Sequence, residues 1–446
     1  MPQERSINQK ASYVQIMTLG FALLILTGAG LLCLPWAAKG QPLTFLEALF
    51  TSTSACCVTG LSLFDPFTRL APFGQGVLLL LIQIGGLGFL MVALFLSLML
   101  GRRIGLRERS LLMQSFSLWQ IGGVVRLGRR VLLGVAGFEL VGAALLLIRF
   151  QPLFGWRTGI WYSLFHAVSA FCNAGFDLMG RLQPYSSLSG FRQDPLVILT
   201  ILGLIVVGGL GFFLWYDLSE KTWHWSRYSL HTKIMLAGTL GLILGGAALF
   251  FFSEGNGVGQ GLPLGQRILD SLFLSITPRT AGFSNLDLTQ LSSGGTFLTI
   301  LLMLVGAGPG STGGGMKVTT IAVLLLAARA HVHRNAGLNI FHRRLEPEAL
   351  QQAAAGAGFY LLLWVTGCFL LCYQGWPLVD SLVETASAIG TVGLSRNLTP
   401  QLDVVSQWVI MLLMYGGRVG SLSVVLALSP QQSPRLKNPT EKVIVG

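Results

Sequence analysis

Four short apolar stretches, each closing on a glycine, recur along this chain and limit what it can fold into. Residues 46–61 read L-E-A-L-F-T-S-T-S-A-C-C-V-T-G-L, 161–176 W-Y-S-L-F-H-A-V-S-A-F-C-N-A-G-F, 269–283 L-D-S-L-F-L-S-I-T-P-R-T-A-G-F and 379–394 V-D-S-L-V-E-T-A-S-A-I-G-T-V-G-L. Their glycines, Gly60, Gly175, Gly282 and Gly393, are 115, 107 and 111 residues apart. Each stretch offers about ten helical residues, roughly 15 Å of helix, against a hydrocarbon core of about 30 Å. It must therefore enter and leave a bilayer on the same side. Irregular backbone at that depth survives only when buried in protein or lining a watery cavity, so four re-entrant segments predict one shared, protein-lined path.

Composition makes a bilayer the solvent. The chain of 446 residues is 52% apolar and 11% charged, where soluble domains carry about 25% charged residues. Apolar runs lie at 11–34, 77–100, 131–148, 195–216, 234–252, 297–307, 318–328, 354–372 and 404–428. Each is long enough to span or, for the pair parted by 308–317, to half-span. Counting that pair as one broken helix predicts an all-α integral membrane protein with eight spans and both termini on one side. The first run is long for a signal-peptide core and lacks an evident cleavage site. The six cysteines sit in or beside apolar runs and suggest core filler rather than a disulfide framework.

A net charge of +12 would suit nucleic acid, but its placement decides otherwise. The N-terminus, 101–130, 217–233, 317–350 and the C-terminal tail carry 20 basic and 7 acidic residues, the opposite side 9 and 10, with Arg418 and Glu139 left inside spans. Such one-sidedness is what the positive-inside rule requires of cytoplasmic loops. A plasma (inner) membrane location with cytoplasmic termini is expected, and no nucleic acid is needed.

The expected organisation is a cytoplasmic N-terminus (1–10), pore repeats at 11–100, 131–216, 232–328 and 354–428, cytoplasmic connectors at 101–130, 217–231 and 329–353, and a cytoplasmic C-terminus (429–446). Each repeat reads span, re-entrant pore helix, loop, span. Crossing twice, all four share one orientation, which suits a channel-like pore better than the inverted repeats of many alternating-access carriers.

The second span of each repeat carries a glycine cluster: Gly85-Gly86, Gly208-Gly209, Gly306 with Gly308, and Gly416-Gly417. In repeats one and two this reads as a close-packing surface. Repeat three runs on as Gly306-Ala307-Gly308-Pro309-Gly310-Ser311-Thr312-Gly313-Gly314-Gly315-Met316-Lys317, through which no helix persists, so a flexible loop at membrane depth is expected. It is not a Walker loop, because Lys317 is followed by Val318 and no strand precedes it. In repeat four Arg418 follows the glycine pair, and an arginine inside a span faces a cavity or a partner. A gate and a structural ion pair with Glu139 are the two readings.

Thr391-Val392-Gly393 reads like the T-V-G of potassium filters, where carbonyls replace an ion's hydration shell. Together with N-A-G-F-D from Asn173, T-P-R-T-A-G-F from Thr277, G-x-G-x-G-S-T-G-G-G-x-K from Gly306 and the G-R pair at 417–418, the four repeats resemble the Trk/Ktr/HKT superfamily of cation transporters over nearly the whole chain. Eight spans and a short N-terminus look most like its KtrB-type ion-translocating subunits. The resemblance implies a potassium-binding selectivity filter at Val58, Thr59, Gly60, Asn173, Ala174, Gly175, Thr280, Ala281, Gly282, Thr391, Val392 and Gly393. Since only the fourth loop keeps the full T-V-G order, fewer well-formed ion sites are expected than in a symmetric tetramer. It also implies a gate at Gly306, Gly308, Gly310, Ser311, Thr312, Gly313, Gly314, Gly315, Lys317 and Arg418. Its further implications are a homodimer, a cytosolic nucleotide-binding regulatory ring of the KtrA type docking on 101–130 and 329–344, K⁺ as transported ion, Na⁺ as a stimulating co-ion and no covalent cofactor. Gly60 favours K⁺, because relatives with serine there tend to pass Na⁺. A Na⁺-permeable or weakly selective transporter of the superfamily is the alternative.

Elementary electrostatics points the same way. Each pore helix would aim its negative end at the path, and four partial charges of about −0.5 favour a cation. Asp65, Asp177 and Asp287 follow their loops closely enough to form an attractive mouth, or are solvated loop acids; His166 reads as a hydrogen-bonded core residue. No ATPase or catalytic motif is present, so the chain is not expected to be an enzyme. A membrane potential of 100 mV supplies about 2.3 kcal/mol per charge, enough for roughly fifty-fold accumulation.

Overall fold

The computed structural model describes residues 13–88, 91, 94, 97, 105, 124–221, 224–333, 339–341 and 343–420. Both termini, residues 101–104 and 106–123 of the 101–130 connector, and the ends of the 77–100 and 404–428 runs lie outside the described residues. Repeat one comprises α1 (Tyr13–Leu32), α2 (Phe45–Cys56) and α3 (Pro72–Leu87); repeat two α4 (Val124–Phe171), α5 (Pro195–Gly209) and α6 (Phe212–Lys221). Repeat three holds α7 (Leu230–Ser253), α8 (Leu264–Ile276), α9 (Ser293–Leu304) and α10 (Val318–Val332); repeat four α11 (Pro347–Tyr373), α12 (Leu378–Gly390) and α13 (Val404–Val419). Among the described residues the one hairpin pairs β1 (Asn339–Ile340) with β2 (Arg343–Arg344). Among the described residues four helices, α1, α4, α7 and α11, are long and apolar enough to cross a membrane, or five if α5 and α6 count as one bent span.

Local sequence explains where these helices start. Thr44 and Glu47 form a capping box at α2, Ser229 and Asp403 cap α7 and α13, and Pro72, Pro195 and Pro347 occupy first-turn positions where a missing N–H costs nothing. The short helix α2 is buried from Ala48 to Cys56. Its hydroxyls are satisfied inside protein: Thr51 donates to Glu47 O, Thr53 to Leu49 O, and Ser52 to Ile25 O of α1 at 2.7 Å.

Contacts between repeats close a ring. Helix α3 packs on α4, α5 on α8, α9 on α12, and α13 on α2. Fully buried phenylalanines, among them Phe165, Phe171, Phe176, Phe273 and Phe283, fill the space around the loops in one continuous core.

Two expectations change. The 131–148 span of repeat two begins earlier, at Val124; the chain then turns back, setting Gly159 against the backbone of Gln151, so that α4 is two helices, span and pore helix, parted by a kink at Gly155. There φ is 77° and ψ 171°, a conformation that only glycine adopts without strain. The 195–216 run is not one helix: α5 and α6 are bent by 88°. Its glycines do more than pack. The carbonyls of Gly209 and Gly208 accept the N–H groups of Gly308 (2.9 Å) and Thr312 (3.3 Å), and Phe212 N donates to Gly310 O at 2.9 Å. Bonds to the glycine loop of repeat three thus replace helical bonds, which is why the break is tolerated at depth.

Candidate functional site

Each pore helix is followed by a loop of one shape. Its first residue is left-handed, with φ of 57° at Val58, 58° at Asn173, 72° at Thr280 and 50° at Thr391. Its third is a left-handed glycine, with φ of 95° at Gly60, 68° at Gly175, 79° at Gly282 and 99° at Gly393. The residues between them, Thr59, Ala174, Ala281 and Val392, are fully buried and keep negative φ. Such alternation turns successive carbonyls to one side, the disposition by which oxygens replace a hydration shell. All four loops share it although their side chains differ, because the backbone carries the shape.

The glycines close the loops into a circle. A Cβ built on Gly60 would stand 2.5 Å from Ala174 O, on Gly175 2.8 Å from Ala281 O, on Gly282 2.2 Å from Val392 O, and on Gly393 2.2 Å from Thr59 O. Each loop therefore faces the carbonyl of the next, in chain order. On one side of the ring lies a vestibule of about 130 Å³, lined among others by Asp65, Asp177, Tyr185, Ser395 and Thr399. No group of three His, Cys, Asp or Glu is placed to hold a metal among the described residues, so the oxygens offered to a cation are mainly those of the backbone.

Hydroxyls in the pore helices hold the loops, and sequence reasoning missed them. Thr59, Ala174 and Val392 each donate their N–H, at 2.8 Å, to the carbonyls of Ser54, Ser169 and Ser387. The hydroxyls of Ser54 and Ser387 also accept Gly60 N and Gly393 N at 3.0 Å. Ser169 Oγ reaches Phe176 O at 2.6 Å and Thr277 Oγ1 reaches Phe283 O at 2.5 Å. The signal was present: a serine or threonine precedes each loop glycine by five or six residues.

Directly against the ring lies the 306–317 loop. Gly306 N donates to Met316 O at 2.7 Å, and Ser311 Oγ bonds Gly313 O at 3.4 Å. Gly314 N donates to Thr391 Oγ1 at 3.1 Å, while a Cβ on Gly313 would collide with Thr280 Oγ1 and one on Gly315 would lie 3.1 Å from Gly390 O. Thr312 is fully buried, its hydroxyl on Phe171 O at 3.1 Å. Lys317 Nζ donates to Gly313 O and Gly314 O at 2.8 and 3.2 Å. Arg418 donates to the carbonyls of Thr312, Gly85 and Gly86. It makes no ion pair with Glu139, whose Oε2 instead accepts Gln83 Nε2 at 3.2 Å. Three unneutralised carbonyl dipoles stabilise the guanidinium here, so the ion-pair reading falls.

Of the three acids near the loops, two face the vestibule. Asp65 caps a short turn and accepts Tyr185 N at 3.0 Å. Asp177 accepts Met179 N at 2.8 Å, and its pKa is pushed up to about 7, chiefly by burial, with Asp65 adding to the rise. Asp287 is exposed and spends its carboxylate on Thr289 N at 2.9 Å, so it is a helix cap outside the vestibule. His166 is fully buried, with Nδ1 2.7 Å from Tyr162 O.

A family model described as TrkH, cation transport protein, matches residues 12–436. The chain is 38% identical over 435 residues to the Ktr system potassium uptake protein B of Bacillus subtilis, covering 97% of this chain and 96% of that one. It is 36% identical over 456 residues to the potassium/sodium uptake protein NtpJ of Enterococcus hirae, covering 99% of both. The crystal structure of the potassium transporter TrkH from Vibrio parahaemolyticus superposes with a TM-score of 0.76 over 96% of this chain and 87% of that one, at 17% identity. That likeness is one of fold.

Proposed function

Because this chain belongs to the TrkH family of cation transport proteins, a family of multi-pass membrane transporters and not of enzymes, we propose that it takes up K⁺ through the ring of four loops. The observation that carries this reading is the closed circle in which each loop glycine meets the next loop's carbonyl. K⁺ sheds water for carbonyls of the loop residues, 58–60, 173–175, 280–282 and 391–393, as the negative ends of the pore helices favour a cation there. The membrane potential drives entry. The 306–317 loop and Arg418 form the gate; the loop lies against Thr280 and Thr391, and Arg418 holds the loop's Thr312 carbonyl.

Eight spans, an inner-membrane location, cytoplasmic termini, a homodimer and a KtrA-like regulatory ring complete the proposal. Support for the ring's docking comes from the exposed Arg343 and Arg344 of the hairpin in the 329–344 region; of the other basic segment, 101–130, only 105 and 124–130 are described, with Arg126, Arg129 and Arg130 exposed. The second reading, a Na⁺-permeable pathway, draws on the similarity to a potassium/sodium uptake protein. Gly60→Ser separates the two, since increased Na⁺ uptake by the variant would favour the K⁺ reading.

The direct test is growth of a K⁺-transport-deficient bacterium at low K⁺. The native chain restores growth. Gly175→Asp, which forces a side chain into a φ of 68° beside Ala281 O, abolishes it at equal membrane expression, whereas unimpaired growth would sink the filter assignment.

A further inference from the structure

Glu384 is a buried carboxylate that the conduction path does not use. It lies within α12 with no exposed surface, and takes part in none of the described ion pairs. Its Oε2 accepts Ser395 Oγ at 2.7 Å and its Oε1 accepts Thr399 Oγ1. Ser395 Oγ in turn accepts the N–H groups of Leu398 and Thr399 at 3.1 and 3.4 Å. Both hydroxyl residues line the vestibule just beyond Gly393. A carboxylate is costly to bury unless it is hydrogen-bonded, so helix packing alone would be better served by leucine.

Position makes the contact specific. Glu384 stands nine residues ahead of Gly393, and His166 stands nine ahead of Gly175. His166 makes the corresponding link: its Nε2 accepts Leu178 N at 3.4 Å, beyond its own loop glycine. In repeat one Thr51 turns back to Glu47 O, and in repeat three, aligned on Thr277, the place belongs to apolar Leu274. Loops two and four lie diagonally across the ring. One diagonal is thus strapped to its pore helices by ionisable side chains, and the other is not.

We propose that Glu384 is a positioning residue for ion selectivity, strapping the limb that follows Gly393 to α12 so that the fourth loop resists closing onto a smaller cation. The inference rests on the proposed K⁺ function. Discrimination against Na⁺ falls when a carbonyl ring is free to contract, and fixing one quarter of the ring raises the cost of contraction. The strap needs two hydrogen-bonding groups rather than a charge.

The test is K⁺ and Na⁺ flux by the full-length protein in liposomes under matched gradients. Glu384→Gln retains two polar groups for the two hydroxyls and keeps the native K⁺:Na⁺ ratio within about twofold, whereas Glu384→Leu lowers it about tenfold while K⁺ flux persists. Ser395→Ala shifts the ratio in the same direction and leaves the helix filled, so it serves if the leucine variant does not fold. A native ratio in Ser395→Ala or Glu384→Leu would overturn the proposal, as would a loss in Glu384→Gln as large as in Glu384→Leu. A native protein without K⁺ preference would overturn the functional reading together with this one; native preference with unchanged variants would overturn the strap alone.

Discussion

Arg418 Nη2 lies 2.9 Å from the carbonyl oxygen of Gly86, tying α13, the last helix of repeat four, to α3 of repeat one. The same guanidinium holds the Thr312 carbonyl of the glycine loop. One side chain therefore joins three repeats at the level where the loop meets Thr391.

Arg418→Gln removes a fixed positive charge beside the glycine loop and some of its carbonyl bonds. Uptake of K⁺ by the purified protein in liposomes is expected to rise about tenfold, equivalent to about 1.4 kcal/mol of barrier. A slower or unchanged flux at equal reconstitution would count against the gate.

Gly393→Ala places a Cβ 2.2 Å from Thr59 O on backbone with φ of 99°. Left-handed strain of about 1–3 kcal/mol adds to the clash. Complementation at low K⁺ is expected to fail while the protein still reaches the membrane, as judged by immunoblot of the membrane fraction.

Burial holds the Asp177 carboxyl at about 7, so the vestibule gains a negative charge as the outside pH rises through that value. K⁺ uptake at limiting concentration should fall as external pH drops from about 8 to about 6, and Asp177→Asn should flatten the profile. Stability runs the other way. Between about pH 4 and pH 7 the folded state holds a proton that the unfolded state has lost, so this group makes the fold less stable as pH rises through that window. A melting series across the window, native against Asp177→Asn, checks the sign.

Gly211 has φ of 95°, and a Cβ there would stand 2.6 Å from Pro309 O. Gly211→Ala should push the 306–317 loop from its seat, raising basal flux and lowering the melting temperature. Flux at or below the native level would separate the α5–α6 bend from gating.

Much of the site was legible because its signals were unusual for a membrane chain. Gly60, Gly175, Gly282 and Gly393 recur in matching contexts, and no helix tolerates the run from Gly306 to Gly315. Arg418 announced itself by its cost inside a span. The bend at Gly209–Phe212 did not, since each helical glycine costs only about 1 kcal/mol and no proline marks the break. What opens it is the competing offer of hydrogen bonds from Gly308, Gly310 and Thr312, a tertiary contact some hundred residues away in sequence. The alternative of an ion pair with Glu139 falls for the opposite reason: two opposite charges inside spans invite pairing, but Arg418 finds carbonyls and Glu139 finds Gln83.

Covalent continuity gives the circle of Gly60, Gly175, Gly282 and Gly393 a property that a homotetramer lacks. In a symmetric assembly every substitution appears at all four positions. Here it appears once, so each loop can be altered by itself, even where one altered loop is enough to stop conduction. Each quarter is also free to drift by itself, as Val58, Asn173, Thr280 and Thr391 already have. A lineage can thus revise its preference among cations one residue at a time, without passing through a fourfold loss.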